Sequence, residues 1–416
     1  MKISRVRIYL NTIQIIKSIF SSHSQSKKYI EKILKKRLEK KNIFFSGMCR
    51  TSYMIVLDYL KKKYPKKNEI ILCSYNLPEM VNLTLLKQFK IKLIDIDINS
   101  GVMNLKKLSL ACNESTAAVL YTNMFNNSED LNDVKNICRS KNILLIEDNA
   151  IYLGNYTILN NQKKYAGSFG DVSLLSFGIM KNYNSIYGGA CLTSIDDLSE
   201  FIESKQKHLK KFSIFDYLDK IILFVILKIS LSKKIYNLFF FKIISLSEKK
   251  NINFLKKIFY PALKFKVKNS IPKSYENKMP NLCYSILAKY FKDNQNSVDA
   301  FEIRKKNNCL YFDELINQKG ISLIPIKDKN FQNYLDFPVI ISEKKEELVN
   351  YLFDQGLEVR THFYSNCEKI FKGNINNNSS FYEENIICLP SHSFITKEKV
   401  LEYCKYIKIF ISNIHV

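Results

Sequence analysis

The sequence has no tryptophan and is poor in glycine, proline and arginine. It contains 11 glycines, 8 prolines and seven arginines in 416 residues, and no low-complexity linker interrupts it. This composition excludes collagen-like chains, and 46% hydrophobic residues with 13% aromatics exclude a disordered chain. At about 150 residues per domain, the chain is long enough for two to three domains with buried cores.

The ten cysteines are spread singly and form no C-x-x-C pair. This argues against zinc ribbons and thioredoxin-like motifs, and we predict no metal site. Ten cysteines are also too few for a disulfide scaffold in a chain of this length, so we predict reduced thiols and a cytoplasmic location. The basic first residues lead to a stretch interrupted by Asn11, Gln14 and Lys17, with no small-residue cleavage site. This start predicts an amphipathic helix rather than a signal peptide.

Basic residues outnumber acidic residues by 64 to 39, which gives a formal net charge of +25. Such a charge suits nucleic acid, an anionic membrane or phosphorylated substrates. The alternative is a coding bias, because abundant Lys, Asn and Ile with scarce Gly and Pro is typical of an AT-rich genome. Since no nucleic-acid-binding motif accompanies the charge, we predict no nucleic-acid partner.

Short apolar runs alternate with helical patterns between residues 42 and 205. The runs at 70–72, 91–98, 117–121 and 143–146 predict buried strands, and the spacing at 54–60 and 131–138 predicts helices. We therefore predict an α/β fold with a largely parallel sheet covered on both faces, and a ligand at the carboxyl ends of its strands. Before this region, Lys-rich residues 27–41 predict a surface helix.

Residues 206–270 carry dense apolar runs punctuated by lysines such as Lys220 and Lys228. No uncharged run reaches the ~18–20 residues that a bilayer crossing needs. The segment is either a membrane-surface element or a helical insert buried on the protein. For the first alternative we predict that Ile222, Phe224 and Ile226 contact lipid, which would place the protein at the inner face of the cytoplasmic membrane.

The remaining chain predicts a smaller α+β domain, with helices at 282–291, 303–316 and 397–412 and strands at 321–326 and 337–341. The sequence thus divides into four predicted parts. They are an N-terminal basic helical segment (1–41), a large domain (42–205), a hydrophobic and basic insert (206–274) and a C-terminal small domain (275–416).

Three motifs follow one another in the large domain. The strand at 143–146 runs into Glu147-Asp148-Asn149-Ala150, Ser176-Phe177 precedes Lys181-Asn182 after Gly170-Asp171, and Gly188-Gly189-Ala190 follows. A carboxylate at a strand end faces a ligand at the sheet edge. A serine five residues before a lysine could bring a hydroxyl and an amine into the same pocket.

These motifs resemble the DegT/StrS family of sugar aminotransferases, which are type I pyridoxal phosphate enzymes. Residues 46–52 resemble the phosphate turn of the family, 71–78 and 93–97 fit its next two strands, and 389–398 resemble its closing loop and helix. The resemblance covers roughly 40–205 and 275–416. It implies a pyridoxal-phosphate-binding large domain with a mixed, mostly parallel sheet and a smaller α+β C-terminal domain.

The resemblance also implies roles for individual residues. Lys181 would bind the cofactor aldehyde and shuttle the proton, and Asp148 would pair with the pyridinium nitrogen. The remaining cofactor contacts would come from Ser176, Arg50, Thr51, Ile151, Tyr75 and, from a partner subunit, Asn277. Arg360, His362 and Tyr364 resemble the segment that lines the substrate mouth. The structural alternatives are a surface lysine for Lys181, helix caps for Asp148 and Thr51, a core aromatic for Tyr75 and a solvated loop for 360–364.

The family further implies a homodimer that transfers an amino group from glutamate to a nucleotide-linked keto sugar for surface polysaccharide or lipopolysaccharide. Relatives that are dehydratases have His in place of the lysine, so Lys181 favours amino transfer. Three departures from the family pattern are Ile151 in place of Gln or His, Cys49 in place of Gly, and 122–126 in place of a His-containing segment. They leave a second hypothesis open, a cofactor-binding but catalytically lapsed protein with a structural or regulatory role at a membrane.

Overall fold

The computed structural model of the protein describes residues 2–10, 12–212, 214–259, 265–292, 294–373 and 377–414. Its strands are β1 (Asn42–Ser46), β2 (Glu69–Cys73), β3 (Tyr75–Asn76), β4 (Lys90–Ile94), β5 (Thr116–Thr122), β6 (Leu144–Asp148), β7 (Tyr156–Leu159), β8 (Gln162–Tyr165), β9 (Val172–Ser176), β10 (Gly189–Thr193), β11 (Ile321–Ser322), β12 (Asp336–Ile341), β13 (Ser365–Asn366) and β14 (Ile386–Pro390).

Helices lie between and around these strands. They are α1 (Thr12–Ile19), α2 (His23–Leu38), α3 (Cys49–Lys63), α4 (Pro78–Leu86), α5 (Leu105–Ala111), α6 (Ser128–Ser140), α7 (Asp196–His208), α8 (Ile214–Ser230), α9 (Lys233–Ile235), α10 (Phe241–Lys249), α11 (Asn253–Phe259), α12 (Asn281–Lys292), α13 (Asn294–Leu315), α14 (Lys345–Asp354), α15 (Cys367–Lys372), α16 (Asn377–Asn385) and α17 (Lys397–Ile414), with a π-helical turn at Tyr236–Phe240 and a 3₁₀ turn at Lys273–Glu276.

A seven-stranded sheet in the order β1-β10-β9-β6-β5-β2-β4 forms the large domain. Its strands run parallel except for β10, which is antiparallel to both of its neighbours. The predicted strands at 70–72, 117–121 and 143–146 are confirmed as β2, β5 and β6, whereas the strand predicted at 91–98 is confirmed as β4 only as far as Ile94. Because their carboxyl ends meet at one sheet edge, side chains that follow β6 and β9 share that edge.

Apolar side chains cover both faces of this sheet. Ile70 and Leu72 pack in a core with α3 and α4, whereas Ile71 and Cys73 face a second core that is continuous with the small domain. Successive side chains of β2 therefore enter the two cores in turn, which explains why the strand is apolar throughout. The predicted α/β fold is confirmed.

The small domain is an antiparallel sheet of β11, β12 and β14 packed with α13, α14 and α17. The predicted strand at 321–326 is wrong beyond Ser322, because only Ile321 and Ser322 pair with β12. A separate ladder joins the domains, with Ser365 and Asn366 of β13 opposite Asn76 and Tyr75 of β3. This ladder carries residues 360–366 towards the edge where the parallel strands end.

The N-terminal helix prediction is correct only for α1, because residues 2–10 form no helix. Arg5 instead pairs with Glu358, with Arg5 Nε 3.1 Å from Glu358 Oε1, and the Ser4 carbonyl lies 2.8 Å from His392 Nε2. These contacts thus join the non-helical segment to residues far away in the sequence. The helix predicted at 27–41 is confirmed as α2, which buries Ile30, Leu34 and Leu38.

The described part of the insert contains helices α8 to α11, forms no helix at 265–272 and is only partly buried. Tyr236, Phe241 and Ile244 belong to the large core. In α8, Phe224 packs on Ile186 and Ile286, so the prediction that it contacts lipid is wrong. Ile222 and Ile226, by contrast, are 53% and 54% exposed. Within the described ranges, no helix has the length and apolar character that a membrane crossing requires.

Candidate functional site

The site is built around the ends of β6 and β9, two adjacent parallel strands. In the ladder, Asp148 at the end of β6 lies opposite Thr122 of β5 and Leu174 of β9. Beyond β9, a methyl group placed on Gly178 would lie 4.0 Å from both Ser176 Oγ and Lys181 Cγ. The serine and the lysine therefore approach the same point, as their spacing predicts.

Two neighbouring carboxylates at the end of β6 have different surroundings. Glu147 is fully buried and accepts hydrogen bonds from the N–H groups of Gly167 at 2.6 Å, Phe169 at 3.1 Å and Gly170 at 2.9 Å. Asn123 Nδ2 donates a fourth at 2.9 Å. Glu147 thus fixes the loop that leads into β9, a role that sequence reasoning missed although the Glu-Asp pair marked the position.

Asp148 is buried as well, but it accepts one hydrogen bond, from the Ala150 N–H at 2.9 Å. Burial raises the pKa of its carboxyl group, which the Ala150 N–H and the nearby Lys181 amine counteract. The carboxylate therefore keeps acceptor capacity that protein groups do not use. The local turn bond partly matches the helix-cap alternative, but no helix begins at residues 149–154.

The Lys181 amine lies in the field of several charges. Burial lowers its pKa, Asp148 and Cys49 raise it, and Arg360 and Arg50 lower it further. A lysine with a lowered pKa contains more of the neutral amine, which is the nucleophilic form. The surface-lysine alternative does not describe this position, since Lys181 is partly buried and adjoins Asp148.

The turn that was predicted to bind the phosphate lies beside these residues, at the start of α3. Met48 is the N-cap and supplies no side-chain hydrogen bond, so the alternative that Thr51 is the N-cap is wrong. Thr51 lies in the first turn, and its buried Oγ1 has no hydrogen-bond partner in the described part of the chain. Gly189 permits close contact here, because a methyl group on it would lie 2.2 Å from the Cys49 nitrogen.

Two residues that were predicted to contact the cofactor, Arg50 and Asn277, form hydrogen bonds within their own chain at this turn. Arg50 Nη1 donates to the Tyr275 hydroxyl at 2.8 Å, and its guanidinium lies 5.0 Å from the centre of the Tyr275 ring. The Asn277 carbonyl oxygen accepts a hydrogen bond from the Gly47 N–H at 2.7 Å. Asn277 therefore lies beside the phosphate turn of its own chain.

The small-domain segment lies close to the same pocket, but its polar groups are paired. Arg360 Nη1 contacts Asp336 Oδ2 at 3.1 Å, and Arg360 Nε donates to the His362 carbonyl at 3.1 Å. Burial, reinforced by Lys345 and Arg360, lowers the pKa of His362 to about 4. His362 is therefore neutral near pH 7 and supplies no positive charge to a substrate phosphate.

Tyr364 and Tyr75 form two aromatic layers. Burial and the negative charge of Asp148 raise the pKa of Tyr364. Tyr75 is fully buried behind it, edge-to-face with Tyr364 and Tyr382 at 6.0 and 5.9 Å. The core alternative describes the surroundings of Tyr75.

A buried network behind the lysine loop was not predicted. Asn182 Nδ2 donates to the Ile151 carbonyl at 2.9 Å, and Arg304 of α13 donates to the Asn182 side-chain oxygen. Arg304 Nε also donates to Asn333 at 3.0 Å. The Ile151 side chain is buried, and its backbone is tied to the residue after Lys181. The Lys-Asn pair marked Asn182, but no local pattern distinguishes Arg304.

These residues fit pyridoxal phosphate. A helix start with an unpartnered buried hydroxyl suits a phosphate, a buried carboxylate suits a pyridinium nitrogen, and a lysine with lowered pKa suits an aldehyde. In the described ranges, no group of three or more His, Cys, Asp or Glu side chains is placed to hold a metal ion.

Curated relatives include sugar-modifying enzymes. The dTDP-4-amino-4,6-dideoxy-D-glucose transaminase of Shigella dysenteriae is 22% identical over 385 residues, or 88% of this chain and 87% of the relative. The GDP-4-keto-6-deoxy-D-mannose 3-dehydratase of Escherichia coli O55:H7 is 28% identical, but this match spans only 29% of the chain and 30% of the relative.

Solved structures show the same fold over the whole chain. Helicobacter pylori PseC, an aminotransferase involved in the biosynthesis of pseudoaminic acid, has a TM-score of 0.72 at 16% identity, covering 99% of this chain and 100% of PseC. The E. coli GDP-4-keto-6-deoxy-D-mannose-3-dehydratase with bound hydrated PLP also reaches 0.72, at 17% identity and 98% and 100% coverage. The sequence model of one family matches residues 7–217, half of the chain. The chain therefore belongs to the DegT/DnrJ/EryC1/StrS aminotransferase family.

Proposed function

We propose that the protein is a pyridoxal phosphate-dependent aminotransferase that moves an amino group from glutamate to a nucleotide-linked keto sugar. The observation that carries the proposal is that the buried Asp148 carboxylate and the Lys181 amine influence each other's charge beside the start of α3, where Thr51 Oγ1 has no partner in the described residues. When bound, the cofactor supplies an electrophilic aldehyde and a ring that accepts electrons.

Each side chain of the site would have a role that follows from its position. Lys181 Nζ would hold the cofactor covalently and then carry the proton, for which its lowered pKa supplies the neutral amine. Asp148 would hold a proton at the ring nitrogen, with the acceptor capacity that Ala150 leaves open. Thr51 Oγ1, Ser176 and the N–H groups at the start of α3 would bind the phosphate.

The substrate class is proposed from the relatives. The Shigella relative is named as a transaminase of a dTDP-linked amino sugar, and a Salmonella typhimurium relative as the lipopolysaccharide biosynthesis protein RfbH. Several other relatives are named 3-dehydratases. Lys181 favours amino transfer over dehydration, and the product would enter surface polysaccharide or lipopolysaccharide.

The lapsed-enzyme hypothesis is the second candidate. It depends on Ile151, whose buried side chain cannot hydrogen-bond a cofactor, and on Cys49 in the phosphate turn. Burial raises the pKa of the Cys49 thiol, so this position supplies no additional anion. The two hypotheses share cofactor binding and differ in turnover.

The experiment therefore measures binding and turnover separately. The purified protein, reduced with borohydride and digested, should carry the cofactor on the peptide that contains Lys181. Lys181→Ala should abolish this adduct, while the exposed-residue control Lys163→Ala should keep it. An adduct on another lysine contradicts the assignment. The lapsed hypothesis is supported if the wild-type protein carries the adduct but shows no turnover, either with glutamate alone or with amino donors and nucleotide keto sugars.

We further propose a cytoplasmic homodimer. The dimer rests on family membership. The ten cysteines are free, and nine of them are buried, which suits a reducing compartment. Light scattering of the purified protein at micromolar concentration should give twice the chain mass, and a monomer at all concentrations contradicts the dimer.

A further inference from the structure

Two helices outside the site each expose an apolar side. Ile15 of α1 and Phe224 of α8 pack on the same small core as Ile8, Leu10 and Ile286. The other sides of the two helices, with the adjoining Phe20, are exposed. Six of their side chains define the α1–α8 surface: Ile16 (51% exposed), Phe20 (85%), Phe215 (76%), Ile222 (53%), Ile226 (54%) and Ile229 (51%).

A patch of this kind is unfavourable in water. Scattered single apolar residues are normal on a protein surface, but an apolar helix side that continues over several turns indicates a binding surface. The 17-residue α8 contains four charged residues, Asp216, Asp219, Lys220 and Lys228, so it suits lying along a bilayer rather than crossing it.

Unneutralised lysines lie beside this surface. Lys289 and Lys292 lie one turn apart on α12, which packs against α1, the helix that carries Lys17. Burial lowers the pKa of Lys289, and the positive charges of Lys17 and Lys292 lower it further. No carboxylate of the described residues lies within 4.0 Å of any of the three. Lys228, by contrast, is used internally, where it donates to the Leu10 carbonyl.

The charges decide between the two occupants that fit an apolar surface. A symmetric contact with a second copy would set the same patch against itself and bring the lysine clusters of both copies together, which costs free energy. An anionic lipid surface would accept the apolar side chains and neutralise the lysines. We propose that the α1–α8 surface docks the protein on an anionic phospholipid bilayer.

The proposal goes beyond amino transfer, because none of these residues contacts Asp148 or Lys181 in the described structure. The probe is a vesicle of phosphatidylcholine with ~30% phosphatidylglycerol, compared with pure phosphatidylcholine. The wild-type protein should sediment with the anionic vesicles and bind them at least ~10-fold more weakly at ~0.5 M than at ~0.1 M salt.

A triple variant tests the apolar contribution. Ile16→Ser, Ile222→Ser and Ile226→Ser together should lower the vesicle affinity at least ~10-fold, because each loses several CH₂ and CH₃ groups from the acyl boundary. The matched control is Leu110→Ser, Ile158→Ser and Leu159→Ser, three exposed residues on α5 and β7. It should bind like the wild type. The adduct on Lys181 should be unchanged in both variants, which separates this test from that of the proposed function.

A second triple variant tests the charge contribution. The affinity for anionic vesicles should fall about fivefold with each of the three changes, Lys17→Gln, Lys289→Gln and Lys292→Gln. As controls, we choose three lysines that are exposed elsewhere on the protein, Lys66, Lys106 and Lys319. Their change to Gln should lower the vesicle affinity less. Three results overturn the proposal: no sedimentation of the wild type, equal binding to neutral vesicles, or a change from dimer to monomer in the apolar variant without any vesicle binding. The last result would make the surface an interface between copies.

Discussion

The two halves of the candidate site use their polar groups differently. In the large-domain half, Asp148 accepts one hydrogen bond and Thr51 Oγ1 has no partner in the described structure. In the small-domain half, Arg360 is paired with Asp336, and His362 Nε2 lies 3.3 Å from the Ser365 hydroxyl. The large-domain half thus has hydrogen-bonding groups that a ligand can use, whereas the small-domain half uses its polar groups for bonds within the protein.

This difference indicates where a ligand gains binding energy. A buried polar group without a partner carries a desolvation penalty that a ligand can remove, so the large-domain half is organised for a tightly held group. A paired cation must exchange a protein partner for a substrate group, which lowers the net gain. We therefore expect the large-domain half to hold the cofactor and the small-domain half to contribute modest, adjustable substrate contacts.

The largest expected effect comes from Asp148. Asp148→Ala should lower kcat ~10³-fold, because the ring nitrogen loses its only proposed carboxylate partner. Cofactor occupancy, measured after borohydride reduction, should fall far less, since the phosphate contacts remain. Asp133→Ala, which removes an exposed carboxylate on α6, is the control and should keep normal turnover. Turnover near that of the wild type in Asp148→Ala would refute the role.

The neighbouring carboxylate should affect stability instead. Glu147→Ala leaves the N–H groups of Gly167, Phe169 and Gly170 without their acceptor, so we expect a loss of ~3–5 kcal/mol in the free energy of unfolding. Urea denaturation with linear extrapolation measures it. Glu114→Ala, which removes an exposed carboxylate, should stay within ~0.5 kcal/mol of the wild type. A similarly small change in Glu147→Ala would contradict this account.

Much of this organisation could be predicted from local sequence. The buried strands are visible in the sequence as continuous apolar runs, because parallel strands pack on both faces. Asp148, Ser176 and Lys181 are brought together because β6 and β9 are neighbours, and the motif spacing reflects that geometry. The α/β class follows from this local pattern, whereas the roles of the large-domain site residues came from their resemblance to the family motifs.

The rest depends on partners far away in the sequence. Arg5 in the non-helical segment 2–10 pairs with Glu358, and Arg304 donates to Asn182, and neither pairing has a local sequence pattern. Phe224 lies in a helix that is apolar on most sides, so periodicity could not show which side is buried. The Arg360–Asp336 pair likewise explains why a cationic segment is less available to a phosphate than its sequence indicates.

The ion pair in the small-domain half provides the next test. If Arg360 contacts the substrate, Arg360→Met should raise KM for the nucleotide sugar ~10–100-fold, the effect of removing a charge-assisted hydrogen bond. Asp336→Asn should lower KM, because it frees the guanidinium. The control is Lys408→Met, which removes a cation that is paired with Glu314 on α13. If Arg360→Met and Asp336→Asn raise KM equally, Arg360 acts only in folding.

The smallest expected effect concerns His362 and pH. Burial lowers its folded-state pKa to about 4 from an ordinary value near 6.5, so the folded state favours the neutral ring. The unfolded chain therefore binds the proton first as the pH falls, and the stabilising contribution, complete above pH ~6.5, is lost between pH ~6.5 and ~4. At pH ~5 the loss should be about 1–2 kcal/mol relative to pH ~7. His362→Asn should remove this part of the pH dependence of unfolding in urea, whereas His208→Asn, at an exposed position in α7, should retain it. If His362→Asn leaves the profile unchanged, the folded and unfolded chains bind this proton equally, and the small-domain half of the site gains positive charge as soon as the pH falls below ~6.5.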